Sequence, residues 1–276
     1  MGLSNIKNKN VGSAHCSNHT AFTLAEGATH VANFAGKRKV AFTLAEVLIT
    51  LGIIGIVAAM TLPSLLTNYR EKQRVSQLKK TYSTLQQAFL RAEEAHGEYQ
   101  YWDLTNTNTQ GVDENGNYIL DHSGSEKVMS YLGEFLNATK SNSDLKITTY
   151  KLDGTLLNKD YVVSQSRYLK LNDGTILVMG WVSNELTDVQ VFFPGCEKKG
   201  CRVGVDWFYF TLKPKVGFQP LGGSTEHNFP FENCCNLSKT VSTNGRGCTA
   251  WVIYKENMDY LHCNDLSWNG KSKCSK

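Results

Sequence analysis

Hydrophobic and polar positions divide the chain into stretches of different character. From Phe42 to Leu66 runs FTLAEVLITLGIIGIVAAMTLPSLL, 25 residues in which Glu46 is the only charge. As a helix this stretch is roughly 37 Å long at about 1.5 Å per residue, enough to cross a bilayer. The alternative for so apolar a segment is a buried core helix, but the 20 residues from Val47 to Leu66 carry no charge at all and favour insertion. Beyond it the pattern becomes amphipathic. Val75, Leu78, Tyr82, Leu85, Phe89 and Ala92 recur at spacings of three and four, with Lys79, Lys80, Arg91, Glu93 and Glu94 on other faces, and Gly97 supplies a stop. The prediction is one helix of about 55 residues whose first half (42–66) is apolar all round and whose second half (67–97) lays one stripe on a sheet.

The remainder, residues 98–276, reads as strands and loops. Asn, Thr, Asp and Gly residues between Trp102 and Gly124 predict a long surface connection, and a short helix is expected over Glu126–Thr139. Strands are expected at Leu145–Leu152 and Thr155–Val163 about an Asp153-Gly154 turn, and at Arg167–Leu171 and Thr175–Val182 about Asn172-Asp173-Gly174. A further hairpin pairs Asp188–Phe193 with Val203–Leu212. Near the end, Gly247–Tyr254 is expected as a strand, followed by a helical turn over Glu256–Leu261. The fold class is α+β, a long N-terminal helix on an antiparallel sheet.

Charge changes this picture at one end. The formal net charge of +4 is contributed by residues 1–41, where Lys7, Lys9, Lys37, Arg38 and Lys39 face only Glu26; the rest of the chain balances to zero. So small an excess, with no Lys/Arg block, argues against a nucleic-acid partner. Basic residues flank the apolar run on both sides, Lys37, Arg38 and Lys39 before it and Arg70, Lys72, Arg74, Lys79 and Lys80 after it, so they do not fix its orientation. Glu46 is the anomaly. A carboxylate near the start of a membrane helix costs on the order of 2–3 kcal/mol unless it snorkels, protonates or meets a partner.

The segment Lys37-Arg38-Lys39-Val40-Ala41 followed by Phe42-Thr43-Leu44-Ala45-Glu46-Val47-Leu48-Ile49 resembles the cleavage and methylation motif of type IV prepilins and type II secretion pseudopilins. The resemblance implies cutting by a prepilin peptidase between Ala41 and Phe42, N-methylation of Phe42, and Glu46 as the fifth residue of the mature chain. Ala41 stands where the family usually has Gly. It also implies a partner for Glu46, the methylated terminal amine of a neighbouring subunit, and a proline in the helix, here Pro63. Implied partners are the peptidase, other pilin or pseudopilin subunits, an inner-membrane assembly platform and the lipid bilayer. The implied topology is a single pass through a bacterial inner membrane, amino end cytoplasmic and head periplasmic or extracellular, with a lollipop of helix and head. Residues 1–41 would be the leader, 42–97 the helix and 98–276 the head.

The leader contains a second copy of the motif start: Ala21-Phe22-Thr23-Leu24-Ala25-Glu26 is identical to residues 41–46, yet continues as GATHVANFAG and cannot span a membrane. The second copy is expected to work. No Met lies between Met1 and Met60, and initiation at a non-AUG codon such as that of Val31 is one reading of the leader's length. His15, Cys16 and His19 within it are read as a chance cluster.

Seven cysteines follow the span: Cys196, Cys201, Cys234, Cys235, Cys248, Cys263 and Cys274. Without a paired CxxC pattern they suit an oxidising exterior and disulfides better than zinc, the alternative use of the same thiols. Cys196 with Cys201 would staple a loop; Cys263 with Cys274, and Cys248 with Cys234 or Cys235, are the expected further pairs, leaving one thiol over. Asp113-Glu114-Asn115-Gly116-Asn117 offers oxygens to calcium but lacks the later bidentate acid of an EF-hand, so a solvated turn is expected and no cofactor. There is no P-loop, GxSxG, HExxH or GxGxxG, and the reading is a structural subunit rather than an enzyme. Two other classes fit the apolar run: a Sec-secreted binding or enzymatic domain cut after Val57-Ala58-Ala59, and a permanently anchored ectodomain that does not polymerise.

Overall fold

In the computed structural model the described residues are 42–104, 109–112, 114, 118–225 and 228–275. Their elements are helix α1 (Leu44–His96), strands β1 (Thr109–Val112) and β2 (Tyr118–Leu120), α2 (Ser123–Gly133), β3 (Ala138–Lys140), β4 (Leu145–Tyr150), β5 (Leu156–Val163), β6 (Tyr168–Leu171), β7 (Ile176–Val182) and β8 (Thr187–Phe192). They continue with α3 (Cys196–Lys199), β9 (Cys201–Arg202), β10 (Trp207–Lys213), β11 (Gly217–Pro220), α4 (Phe231–Cys234) and α5 (Thr249–Lys255). The chain divides into two compact units, Met1–Ile53 and Ile54–Lys276. The described part of the first is the beginning of α1. The second holds the rest of α1 and every strand of the described residues.

Within the second unit, an antiparallel six-stranded sheet has the order β11-β10-β8-β7-β6-β3. Its central strands are covered on both sides. Leu177, Met179, Val189, Val191, Phe208 and Phe210 point into the larger core, while Ile176, Val178, Phe192, Trp207 and Tyr209 fill a second cluster on the opposite face. Alternate residues of one strand face opposite ways, so a stretch buried on both faces must be apolar, as Ile176–Met179 of β7 and Trp207–Phe210 of β10 are.

The stripe on α1 meets the larger core. Val75, Leu78, Leu85, Phe89 and Ala92 are buried with Thr81 and Ala88, and Tyr82 is half-buried. Tyr82 stacks on Phe210 of β10 with centroids 5.9 Å apart, and Phe89 meets Phe218 of β11 edge-on at 6.4 Å. Gln86 accepts the Phe218 N–H and donates to its carbonyl, both at 3.0 Å, which satisfies backbone groups of the sheet's edge strand. The helix ends at His96, and Gly97 takes φ +83, a conformation that costs other residues roughly 1 kcal/mol.

The hairpin expectations describe β4–β5 and β6–β7 well. In both turns an aspartate, Asp153 or Asp173, accepts the N–H two residues on, at 2.8 and 3.0 Å, and a glycine follows at positive φ. Elsewhere the structure corrects the sequence. The helix expected over Glu126–Thr139 begins at Ser123 and ends at Gly133, and Ala138–Lys140 instead pairs with β6 as an edge strand. The strand expected at Gly247–Tyr254 is helix α5. Within the connection expected to be a bare loop, β1 and β2 form a small antiparallel hairpin. Val203–Leu212 contributes only its later part to the large sheet, because β9 beside it pairs parallel with β4 in a separate sheet, β5-β4-β9.

Candidate functional site

The start of α1 is capped by its own side chains. Thr43 Oγ1 accepts the Glu46 N–H at 3.2 Å, and Glu46 Oε2 accepts both the N–H and the hydroxyl of Thr43 at 2.8 Å. This reciprocal pairing is a capping box, Thr43-Leu44-Ala45-Glu46. It gives the carboxylate two donors and places negative charge at the positive end of the helix dipole. The sequence reading left Glu46 to snorkel, protonate or meet a partner; the T-x-x-E spacing was the signal for a local one. Phe42 is 80% exposed. Ala41, on the other side of the expected cleavage point, lies outside the described residues, as do the first AFTLAE copy and His15, Cys16 and His19.

From Leu44 to Leu66 no residue of α1 is buried, although the stretch is almost wholly apolar. Its hydroxyls are turned back onto the helix. Thr50 donates to the Val47 carbonyl, Thr61 to Val57 and Ser64 to Thr61, at 3.0–3.1 Å, and Thr67 just beyond donates to Pro63 at 3.0 Å. A helix surface with no unsatisfied hydroxyl is what lipid requires, because hydrocarbon offers no hydrogen-bond partner. Pro63 lies inside α1, and the helix continues through it. Lacking an N–H, it leaves the Ala59 carbonyl without its usual helical donor.

Past the apolar run, the basic residues of α1 are drawn into the head. Arg74 pairs with Asp206 and lies 5.3 Å from the Phe193 ring centroid. Lys79 pairs with Glu256, and Lys80 is 4.0 Å from Asp173. Glu71 meets His262 at 2.8 Å. The basic residues that follow the apolar run therefore largely form a docking seam between α1 and the loops of the head. The exceptions are Arg70 and Lys72, which make no ion pair among the described residues.

The cysteines pair as Cys196–Cys201, Cys235–Cys248 and Cys263–Cys274, with Cα separations of 4.7, 5.0 and 5.7 Å. Cys234 is not bridged. It is buried, with its sulfur 3.5 Å from Thr243 Oγ1, and of the two adjacent candidates for Cys248 it is Cys235 that is bridged. The first bridge closes the loop carrying Lys198 and Lys199, and the second ties α4 to the start of α5. Of the acidic turn considered for calcium, Asp113 and residues 115–117 lie outside the described residues.

One buried polar group on the head was not foreseen. Tyr99, in the turn after α1, donates its hydroxyl to the Ser183 carbonyl and shares a hydrogen bond with Thr187 Oγ1, both at 2.7 Å. Burial raises its pKa to about 12, against a smaller lowering by Thr187, so it remains neutral and fastens the end of α1 to the β7–β8 turn.

With this geometry in view, two family models match the chain. One, a family of unknown function (DUF6613), matches residues 64–249, the greater part of the chain, running from the end of the apolar stretch through most of the head. The chain belongs to that family. The other, the prokaryotic N-terminal methylation motif, matches residues 37–62, which include the basic residues, the capping box and most of the apolar helix. No curated protein and no solved structure matches the chain. A methylation motif opening directly into a long apolar helix makes this a prepilin-like subunit, and the motif implies processing by a prepilin peptidase and assembly with other subunits of the same kind.

Proposed function

We propose that the chain is a structural subunit of a type IV pilus or a type II secretion-like pseudopilus, anchored in the inner membrane by residues 42–66 before it assembles. The observation carrying this reading is the position of the methylation motif, which ends within an exposed apolar helix whose hydroxyls are internally satisfied. The peptidase would cut between Ala41 and Phe42, and Phe42 would be N-methylated. Glu46 would then exchange its contacts with Thr43 for the terminal amine of a neighbour, two opposite charges meeting in a low-dielectric bundle. The amino end would face the cytoplasm and the head the periplasm or exterior, where its three disulfides can form. The chain would be a substrate of its peptidase rather than a catalyst, and its large, cysteine-rich head favours a minor or specialised subunit.

Mass spectrometry of the N-terminal peptide tests the reading. A first residue of N-methyl-Phe42 is expected. A chain beginning at Met60 would instead show Sec cleavage after Ala59, and a retained leader would show a permanently anchored ectodomain.

A further inference from the structure

Directly beyond the apolar run, a cleft of about 820 Å³ opens between α1 and the head. Its helical wall is Arg70, Gln73, Arg74, Gln77 and Lys80, which share one face of α1 at spacings of three, one, three and three. Lys199, exposed on the loop closed by Cys196–Cys201, faces them across the cleft. Among the described residues the only acid lining it is Asp173, which lies against Lys80 at the far end. Arg74 is already paired with Asp206. Arg70 and Lys199 are therefore two cations on one cleft that have no ion pair among the described residues.

Their position relative to the apolar run narrows what they can meet. At about 1.5 Å per residue, Arg70 lies roughly 6 Å beyond Leu66 and Lys80 roughly 21 Å beyond it. The polar zone on each side of a bilayer is about 5–8 Å deep. Arg70 thus stands at headgroup depth, Arg74, about 12 Å beyond Leu66, just above it, and Lys80 out of reach. We propose that this cleft binds the phosphate group of an anionic phospholipid, held by Arg70 and Lys199 with Gln73 as a neutral donor. The phosphate brings the charge that the cleft lacks, and the lipid is the phosphate carrier that lies beside the cleft before any neighbouring subunit does. The inference rests on the reading that residues 42–66 are in a membrane. It adds a lipid preference to that reading and a role for the Cys196–Cys201 loop, which holds Lys199 over the helix.

The test uses the full chain in nanodiscs of phosphatidylcholine with a minor fraction of phosphatidylglycerol, extracted and analysed by native mass spectrometry for retained lipid. Wild type is expected to retain phosphatidylglycerol selectively, and Arg70→Gln with Lys199→Gln to reduce that retention by about tenfold, since a cation beside a charged lipid surface contributes several-fold each. Arg70→Lys should keep it, and Lys80→Gln should match wild type. Both residues in the double variant are exposed, so they can be changed without opening the core. Retention unchanged in the double variant, or reduced equally by Lys80→Gln, overturns the proposal. So does displacement of the lipid by millimolar inorganic phosphate, which would mark a free-anion site, or capture of Lys199 by a carboxylate of a second copy in zero-length crosslinking. If the chain does not enter the nanodisc at all, the anchoring reading fails and the inference falls with it; entry without lipid preference sinks the inference alone.

Discussion

Thr43 and Glu46 show how one side chain can serve two states. In the single chain the carboxylate accepts both donors of Thr43 and closes the first turn of α1. Such a cap is worth about 1 kcal/mol, small beside the cost of carrying an unpaired carboxylate into hydrocarbon. Local capping therefore steadies the helix start without removing the drive to find an opposite charge. Tyr99 is the contrasting case, a polar group whose partners are already complete. Tyr99→Phe would leave the buried Thr187 hydroxyl and the half-buried Ser183 carbonyl with one partner fewer. A loss of about 1–3 kcal/mol in urea unfolding of the head is expected, with the sheet otherwise intact. A variant as stable as wild type would show that the bond contributes nothing net. The capping box was legible as T-x-x-E. The Tyr99 contacts were not, because Ser183 and Thr187 are more than eighty residues away and only folding brings them to the end of α1.

The elements divide by whether their pattern is local. The amphipathic half of α1 carries its evidence in its own spacing, and its stripe is buried much as the period requires. The run Thr249–Lys255 does not: Ala250, Trp251, Val252 and Ile253 are buried in succession, a sequence equally suited to a covered strand or a short covered helix. Its surroundings decide. Trp251 stacks on Phe231 at 4.0 Å and meets Trp268 edge-on at 5.2 Å, while its ring N–H donates to Asn257 Oδ1 at 3.0 Å. The bridge from Cys248 to Cys235 fixes where α5 begins. Replacing both cysteines by alanine should destabilise the head by about 3 kcal/mol, the loop-closure entropy of a bridge spanning this many residues, measured as a lower unfolding midpoint under non-reducing conditions. An unchanged midpoint would mean that the aromatic cluster alone holds α5. Cys234 stays a buried thiol beside its bridged neighbour.

For the molecule as a whole, the separation of charge follows the separation of roles. The net +4 lies in residues 1–41, and the remainder is formally neutral. Within that neutral remainder, Arg74, Lys79 and Lys80 are set against acids of the head, so the seam between α1 and the head is electrostatic at its edge and aromatic at its centre. Assembly tests the remaining charge. Glu46→Val should insert into membranes as wild type does, because it removes a polar group from the span, yet enter filaments or complexes poorly. Incorporation equal to wild type, read by sedimentation of sheared filaments or by crosslinking, would exclude a role for Glu46 between subunits.

What the sequence determined by itself is what short-range patterns encode: the motif ahead of Phe42, the apolar run, the stripe that follows it, the Asp-Gly turns, and a head of strands stapled by cysteines. Those features depend on residues a few positions apart, and their physics is complete within that window. Only the tertiary structure decided the order of the six strands, the parallel pairing of β9 with β4, the choice of Cys235 over Cys234, the helical state of Thr249–Lys255 and the facing of Lys199 to Arg70. Each of these depends on which distant surfaces share one core, and burial and hydrogen-bond satisfaction across such distances leave no period in the chain.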